Sequence, residues 1–135
     1  MPRGVDPALH LKLGPGGLSD VEWVVQLLQL RHAHAVPELR TTRTLAGLGA
    51  AARAGLVAQE DADVLARAWR LASRIRDAVV LVRGRAADVL PARASELAAV
   101  ASVLGYHPGS AQDLVQDYRQ AARRARGVME ALFYE

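Results

Sequence analysis

Cysteine is absent from the 135 residues, which excludes disulfides and thiolate chemistry and leaves the redox compartment open. Aromatic residues are only 4%, so any core must be built mainly from Leu, Val and Ala. Lysine is nearly missing as well: Lys12 is the one exception among 17 basic residues, and the others are arginine. No apolar run approaches the roughly 18 residues of a membrane span. The N-terminus also lacks the apolar stretch of a signal peptide, and a soluble cytoplasmic protein is the expectation. A P-loop, a nucleophile elbow and a zinc-ligand pattern are all missing.

The residues that remain favour helices. Apolar residues are 51% and charged residues 23%, a globular balance, and Ala, Leu and Arg are strong helix formers. A chain of this length buries on the order of two-thirds of its unfolded surface, enough for one independent core. The net charge of +3 and the pI of 9.9 suit acidic or phosphate-bearing partners without establishing nucleic-acid binding.

Met1–Pro7 is polar with two prolines and reads as a linker stub or cloning remnant. Leu9, Leu11 and Leu13 alternate with His10, Lys12 and Gly14, the period of a half-buried strand whose sheet is not evident in the chain. A glycine-rich loop follows, Gly14-Pro15-Gly16-Gly17, and then Ser19 and Glu22 at the spacing of a capping box. A glycine loop that ends on free helix N–H groups suits an anion, with Lys12 adding charge. Asp20 and Glu22 could assist a metal there, although acidic residues at a helix start already match its dipole.

The first helix is expected from Asp20 to Ala35, ending before Pro37. Its apolar residues cover most of the circumference, which marks a buried helix. Ser19, Glu22, Gln26 and Gln29 form one narrow polar stripe, so that stripe faces another part of the protein, a cavity or a ligand. His32 and His34 lie two apart, on different sides of the helix, and make a poor metal pair.

A second helix spans about Thr42–Ala54, with Thr41, Thr42 and Thr44 as candidate caps and Gly47 and Gly49 allowing a close neighbour. Arg40 and Arg43 bring charge to its start, for phosphate or substrate contact or simply as surface groups. The third helix, Gln59–Arg83, ends at Gly84; Val64, Ala68, Leu71, Ile75, Ala78 and Val82 form its packing seam. Arg67, Arg70, Arg74 and Asp77 form a second stripe, either a solvated face or a basic wall turned to a nucleotide or protein. A fourth helix over Ala92–Leu104 and a fifth beginning after Ser110 complete the chain. Leu114, Tyr118, Ala121, Ala125, Val128 and Leu132 give the fifth helix a seam matching the third. Arg119, Arg123, Arg124 and Arg126 cluster on its outer side, but no aromatic platform accompanies them for nucleic acid.

The segment K-L-G-P-G-G-L-S-D-V-E-W-V-V-Q, Lys12 to Gln26, resembles the K-x-G-x-G-G-[IL]-x-[DE]-[IV]-E-[FW]-x-x-Q stretch of glutamine-synthetase adenylyltransferases. Those enzymes are similar to PII uridylyltransferases. The match falls on Lys12, Gly14, Gly16, Gly17, Asp20, Glu22, Trp23 and Gln26, and both T-T-R-T-L at Thr41–Leu45 and A-W-R-L-A-S-R-I-R at Ala68–Arg76 extend it over most of the chain. The middle helix departs from it: Ser73-Arg74-Ile75-Arg76-Asp77 stands where relatives often read L-R-x-x-E, so a role for that acidic position does not carry over.

The resemblance implies an all-α bundle of about five helices, with an orphan strand and glycine loop at the N-terminus. Residues 1–8 would be linker, 9–18 the junction with a preceding nucleotidyltransferase core, and 19–135 the bundle. The parent would transfer AMP from ATP, with Mg²⁺, to a tyrosine of glutamine synthetase and remove it by phosphorolysis in its other half, with PII and glutamine reporting nitrogen status. The G-S-x-x-x-x-x-D-x-D type motif that holds Mg²⁺ in that family is missing here, so this piece is expected to be inactive alone and to bind no metal itself. Lys12, Gly14, Gly16, Gly17, Asp20, Glu22 and Gln26 would contact nucleotide or core, while Arg40, Arg43, Arg67, Arg70 and Arg74 could contact protein or phosphate. A chain ending at Phe133-Tyr134-Glu135 and the S-D-V-E-W wording favour the carboxy-terminal, adenylylating half. The alternative is a noncatalytic module that docks glutamine synthetase or PII through its arginine stripes.

Overall fold

A computed structural model describes residues 6–133. Five α-helices account for most of them: α1 (Leu18–His32), α2 (Thr44–Arg53), α3 (Gln59–Arg83), α4 (Ala94–Val103) and α5 (Ala111–Phe133). Two single turns of 3-10 helix, Pro7–Leu9 and Pro37–Leu39, precede α1 and α2. The bundle organises around α3, which touches every other helix and packs most extensively on α5.

The bounds of α3 follow directly from its ends. Glu60 and Asp61 in its first turn and Arg83 in its last complement the helix dipole. Gly84 then adopts φ +76°, a left-handed cap that a side chain would oppose. Its buried face is wider than one seam: Ala68, Ile75 and Ala78 are buried as expected, but Leu65, Ala72 and Val79 join them while Val64, Leu71 and Val82 are only half-buried. A helix flanked by four others must bury more than one stripe.

Two apolar clusters meet along α3. One joins α1, α2, the start of α3 and the end of α5; the other joins Leu11, Leu90, α4, the end of α3 and the start of α5. Trp69 and Leu71, in the middle of α3, pack against both. Gly47 brings α2 close to α1, because a Cβ there would stand 2.7 Å from Val25 Cγ1.

Several expectations at the N-terminus are corrected. Residues 9–13 form no strand. Leu11 N–H donates to Asp88 O (2.6 Å) and Leu90 N–H to Leu9 O (3.1 Å), so the segment clips onto the loop before α4 through a single bridge, His10 with Val89. It is not orphaned, since its partner lies in the same chain. The buried His10 accepts Leu13 N–H on Nδ1 (3.0 Å), which turns the backbone back and leaves Leu13 53% exposed against 0% for Leu11. Three leucines were too few to specify an extended run.

The Ser19–Glu22 capping box does not form either. The N-cap of α1 is Gly17, with no side-chain cap. That shift makes Asp20 the third helical residue, and its Oδ2 accepts the N–H of Gly16 at 2.7 Å. Nor is α1 buried all round, because Trp23 and Leu30 are 46% and 81% exposed. Of the proposed linker, residues 1–5 lie outside the described residues, and Asp6 caps the first 3-10 turn. Tyr134 and Glu135 also lie outside them.

Candidate functional site

Glu22, Gln26 and Gln29 of the α1 polar stripe open onto a groove of about 850 Å³, which Ser19 does not line. Glu22, Gln26 and Gln29 form one wall, Thr41 to Ala46 the other, and Val25 and Trp69 contribute apolar surface. Gln29 fixes the opposite wall: its Nε2 donates to Leu39 O (2.8 Å) and to Thr41 O (2.6 Å). Thr41 Oγ1 in turn accepts Arg43 N–H (3.1 Å), and Arg43 is the N-cap of α2 with no side-chain cap. Thr44, Leu45 and Ala46 open α2, where N–H groups have no partner within the helix, and they line the groove beside Arg43. The buried indole N–H of Trp69 has no partner among the described residues.

Gln29→Glu keeps the shape but turns the donor into an acceptor facing two carbonyls. We expect it to lower unfolding stability by about 1–2 kcal/mol, read from the urea midpoint. An unchanged midpoint would mean that the loop is held by something else.

The glycine loop lies elsewhere and points inward. Its N–H groups are taken: Gly14 donates to His10 O, Gly17 to Gly14 O, Leu18 to Leu11 O, Ser19 to Lys12 O and Gly16 to Asp20. The free N–H cradle expected for an anion is therefore not there. Asp20 also meets Arg126 of α5 at 3.0 Å, so loop, α1 and α5 are tied at one point. Gly14 and Gly17 are buried against backbone carbonyls, and Gly16 rests on the α5 backbone at Ala122. Lys12 is exposed at the edge of this loop.

Glu22, Gln26 and Arg43 thus share one groove, while Lys12, Asp20 and the three glycines belong to the loop and helix start that meet α5 at Gly16 and Asp20. Arg40 serves α1, its Nε donating to Ala33 O at 3.1 Å near the helix C-terminus. Arg67, Arg70 and Arg74 face another hollow, beside Tyr106 and Asp117. Sequence reasoning missed Trp69 as a groove residue, and nothing at a separation of 106 residues announced the Asp20–Arg126 pair. Among the described residues no three His, Cys, Asp or Glu side chains gather as metal ligands, and no helix is long and apolar enough to cross a membrane.

Fold and groove define an all-α bundle with a threonine-rich cleft of mixed polarity between its first two helices. The chain belongs to the GlnD PII-uridylyltransferase family, whose profile matches residues 4–133. It is 60% identical over 134 residues to the bifunctional glutamine synthetase adenylyltransferase/adenylyl-removing enzyme of Streptomyces coelicolor. Proteins of the same description from Leifsonia xyli and Cutibacterium acnes are 53% and 46% identical over 134 residues. Each match covers 99% of this chain but only 13–14% of the relative, so the chain spans a small part of those proteins.

Proposed function

We propose that this chain is the helical domain of a glutamine-synthetase adenylyltransferase. In the whole cytoplasmic protein a nucleotidyltransferase core transfers AMP from ATP to a tyrosine of glutamine synthetase, the other half removes it by phosphorolysis, and PII and glutamine adjust the balance. The carrying observation is the 60% identity over 99% of the chain to a relative of that description. The S-D-V-E-W wording at Ser19–Trp23 supports the adenylylating half.

The residues here do not fit Mg²⁺. Asp20 is committed to Arg126 and the Gly16 N–H, and no further pair of ligand side chains joins it or Glu22 among the described residues. The metal and the ATP phosphates are accordingly assigned to the core. This domain's part is to receive the core on α1. Exposed Trp23 and Leu30, one helical face apart from Glu22 and Gln26, supply an apolar strip beside polar groups that can orient the incoming surface. Lys12, exposed next to the same helix start, would add a positive contact to core or nucleotide.

The test is adenylylation of glutamine synthetase by the core joined to this domain, compared with core alone and domain alone. Activity is expected only in the joined protein. Equal activity from the core alone would remove the domain from the catalytic assembly.

A further inference from the structure

Among the described residues, Arg67, Arg70 and Arg74 of α3 form no ion pair. Arg67, Arg70 and Arg74 are exposed and follow one another at steps of three and four, along one face of the helix. Among the described residues the ion pairs belong instead to Arg76, Arg83, Arg119 and Arg126. Like charges at these helical spacings oppose each other, and the acidic neighbours on α3, Asp63 and Asp77, form no ion pair with them among the described residues.

The stripe also borders a shaped surface. Two adjoining hollows of about 330 and 240 Å³ lie beside it, both lined by Leu71, Arg74, Tyr106 and Asp117. Leu71 and Leu104 give them an apolar lining. The Tyr106 O–H donates to Asp117 Oδ2 at 2.6 Å, which fixes the ring and engages one oxygen of the one carboxylate among the lining residues. Three guanidinium groups with no ion-pair partner among the described residues therefore stand beside a small recess of mixed polarity, with Leu71 at its apolar part.

We propose that this face binds an acidic segment of a polypeptide, with carboxylates on the three arginines and one apolar side chain in the recess over Leu71. Guanidinium groups pair with carboxylates through two parallel hydrogen bonds, and the helix presents them over about 10 Å, the reach of a short segment. A nucleic acid fits less well. Tyr106 is the only aromatic ring lining these hollows, so successive bases would have no stacking platform. The inference stands independently of the core-docking role of α1, which lies on a different set of residues.

The test uses a fluorescein-labelled oligoglutamate peptide with one central leucine, and a thymidine oligonucleotide of matched charge. Arg67→Glu/Arg70→Glu/Arg74→Glu is expected to weaken peptide binding by about a hundredfold. Arg119→Glu/Arg123→Glu/Arg124→Glu, the same change in net charge placed on α5, is expected to keep it within about threefold. Should the first variant lose its helical circular dichroism, the corresponding triple glutamine variant carries the same expectation. No peptide binding to the unaltered chain, equal losses in both triples, or tighter binding of the oligonucleotide would each overturn the proposal.

Discussion

Gly16→Ala is expected to cost roughly 3–5 kcal/mol of stability, combining left-handed strain with backbone overpacking. Gly16 has φ +73°, a region that opposes a Cβ by about 1–2 kcal/mol. The larger part is steric, since the added Cβ would stand 1.8 Å from Ala122 O and 2.8 Å from Ala122 Cα. No side chain can rotate out of the way, because the obstacle is the backbone of α5. Relief requires the loop to lift, which would also pull the Gly16 N–H from Asp20 and loosen Asp20 from Arg126. Gly55 is the matched control: its φ is +75°, yet a Cβ added there would meet nothing within 4 Å, so Gly55→Ala should lose only the conformational part, about 1–2 kcal/mol. Urea unfolding of both variants with unchanged m-values reads the difference. Equal losses would show that Gly16 is needed for its dihedral angles alone and that the contact with α5 yields.

That glycine illustrates how much of this domain its sequence discloses. The family pattern marks Gly16 without saying why a glycine is required, and the reason is contact with a helix more than one hundred residues later. Local signals did well where local chemistry decides. The extent of α3, about Gln59 to Arg83 with Gly84 as its stop, was legible, and Gly84 caps it in the left-handed conformation. They did less well where two local solutions compete: Ser19 with Glu22 and Gly17 with Asp20 both offer a helix start, and Asp20 prevails because Arg126 also holds it. The stripe of Ser19, Glu22, Gln26 and Gln29 was legible as facing another part of the protein, a cavity or a ligand; three of the four wall the groove and Ser19 does not. The opposite wall was not legible, because Thr41–Ala46 reaches that place only after the chain reverses at Pro37–Leu39 and Gln29 pins the turn.

Tyr118→Phe is expected to change the alkaline stability of the domain in a way that no surface substitution would. Tyr118 is 1% exposed, and its hydroxyl is buried without a hydrogen-bond partner among the described residues. Burial pushes its pKa up to about 12, with a smaller contribution from the Asp20 charge. An unfolded tyrosine ionises near pH 10. Below that pH both states hold the proton and the stability difference is full. As pH rises from 10 towards 12 the unfolded chain releases its proton while the folded one keeps it, so stability falls by about 1.4 kcal/mol per pH unit, or roughly 2–3 kcal/mol in all. Tyr106 is also raised to about 12, by burial first and then by its bond to Asp117, but it is partly exposed and adds less. Phenylalanine at 118 removes the larger contribution and the lone buried hydroxyl together. At pH 7 the variant should therefore match or exceed the unaltered chain by about 1 kcal/mol, and between pH 10 and 12 its urea midpoint should decline less steeply. A parallel decline in the two proteins would place the titrating group elsewhere. A loss at pH 7 above about 1 kcal/mol would mean that the hydroxyl has a partner inside the bundle, and the best candidate for that role would be a buried water beside Asp20.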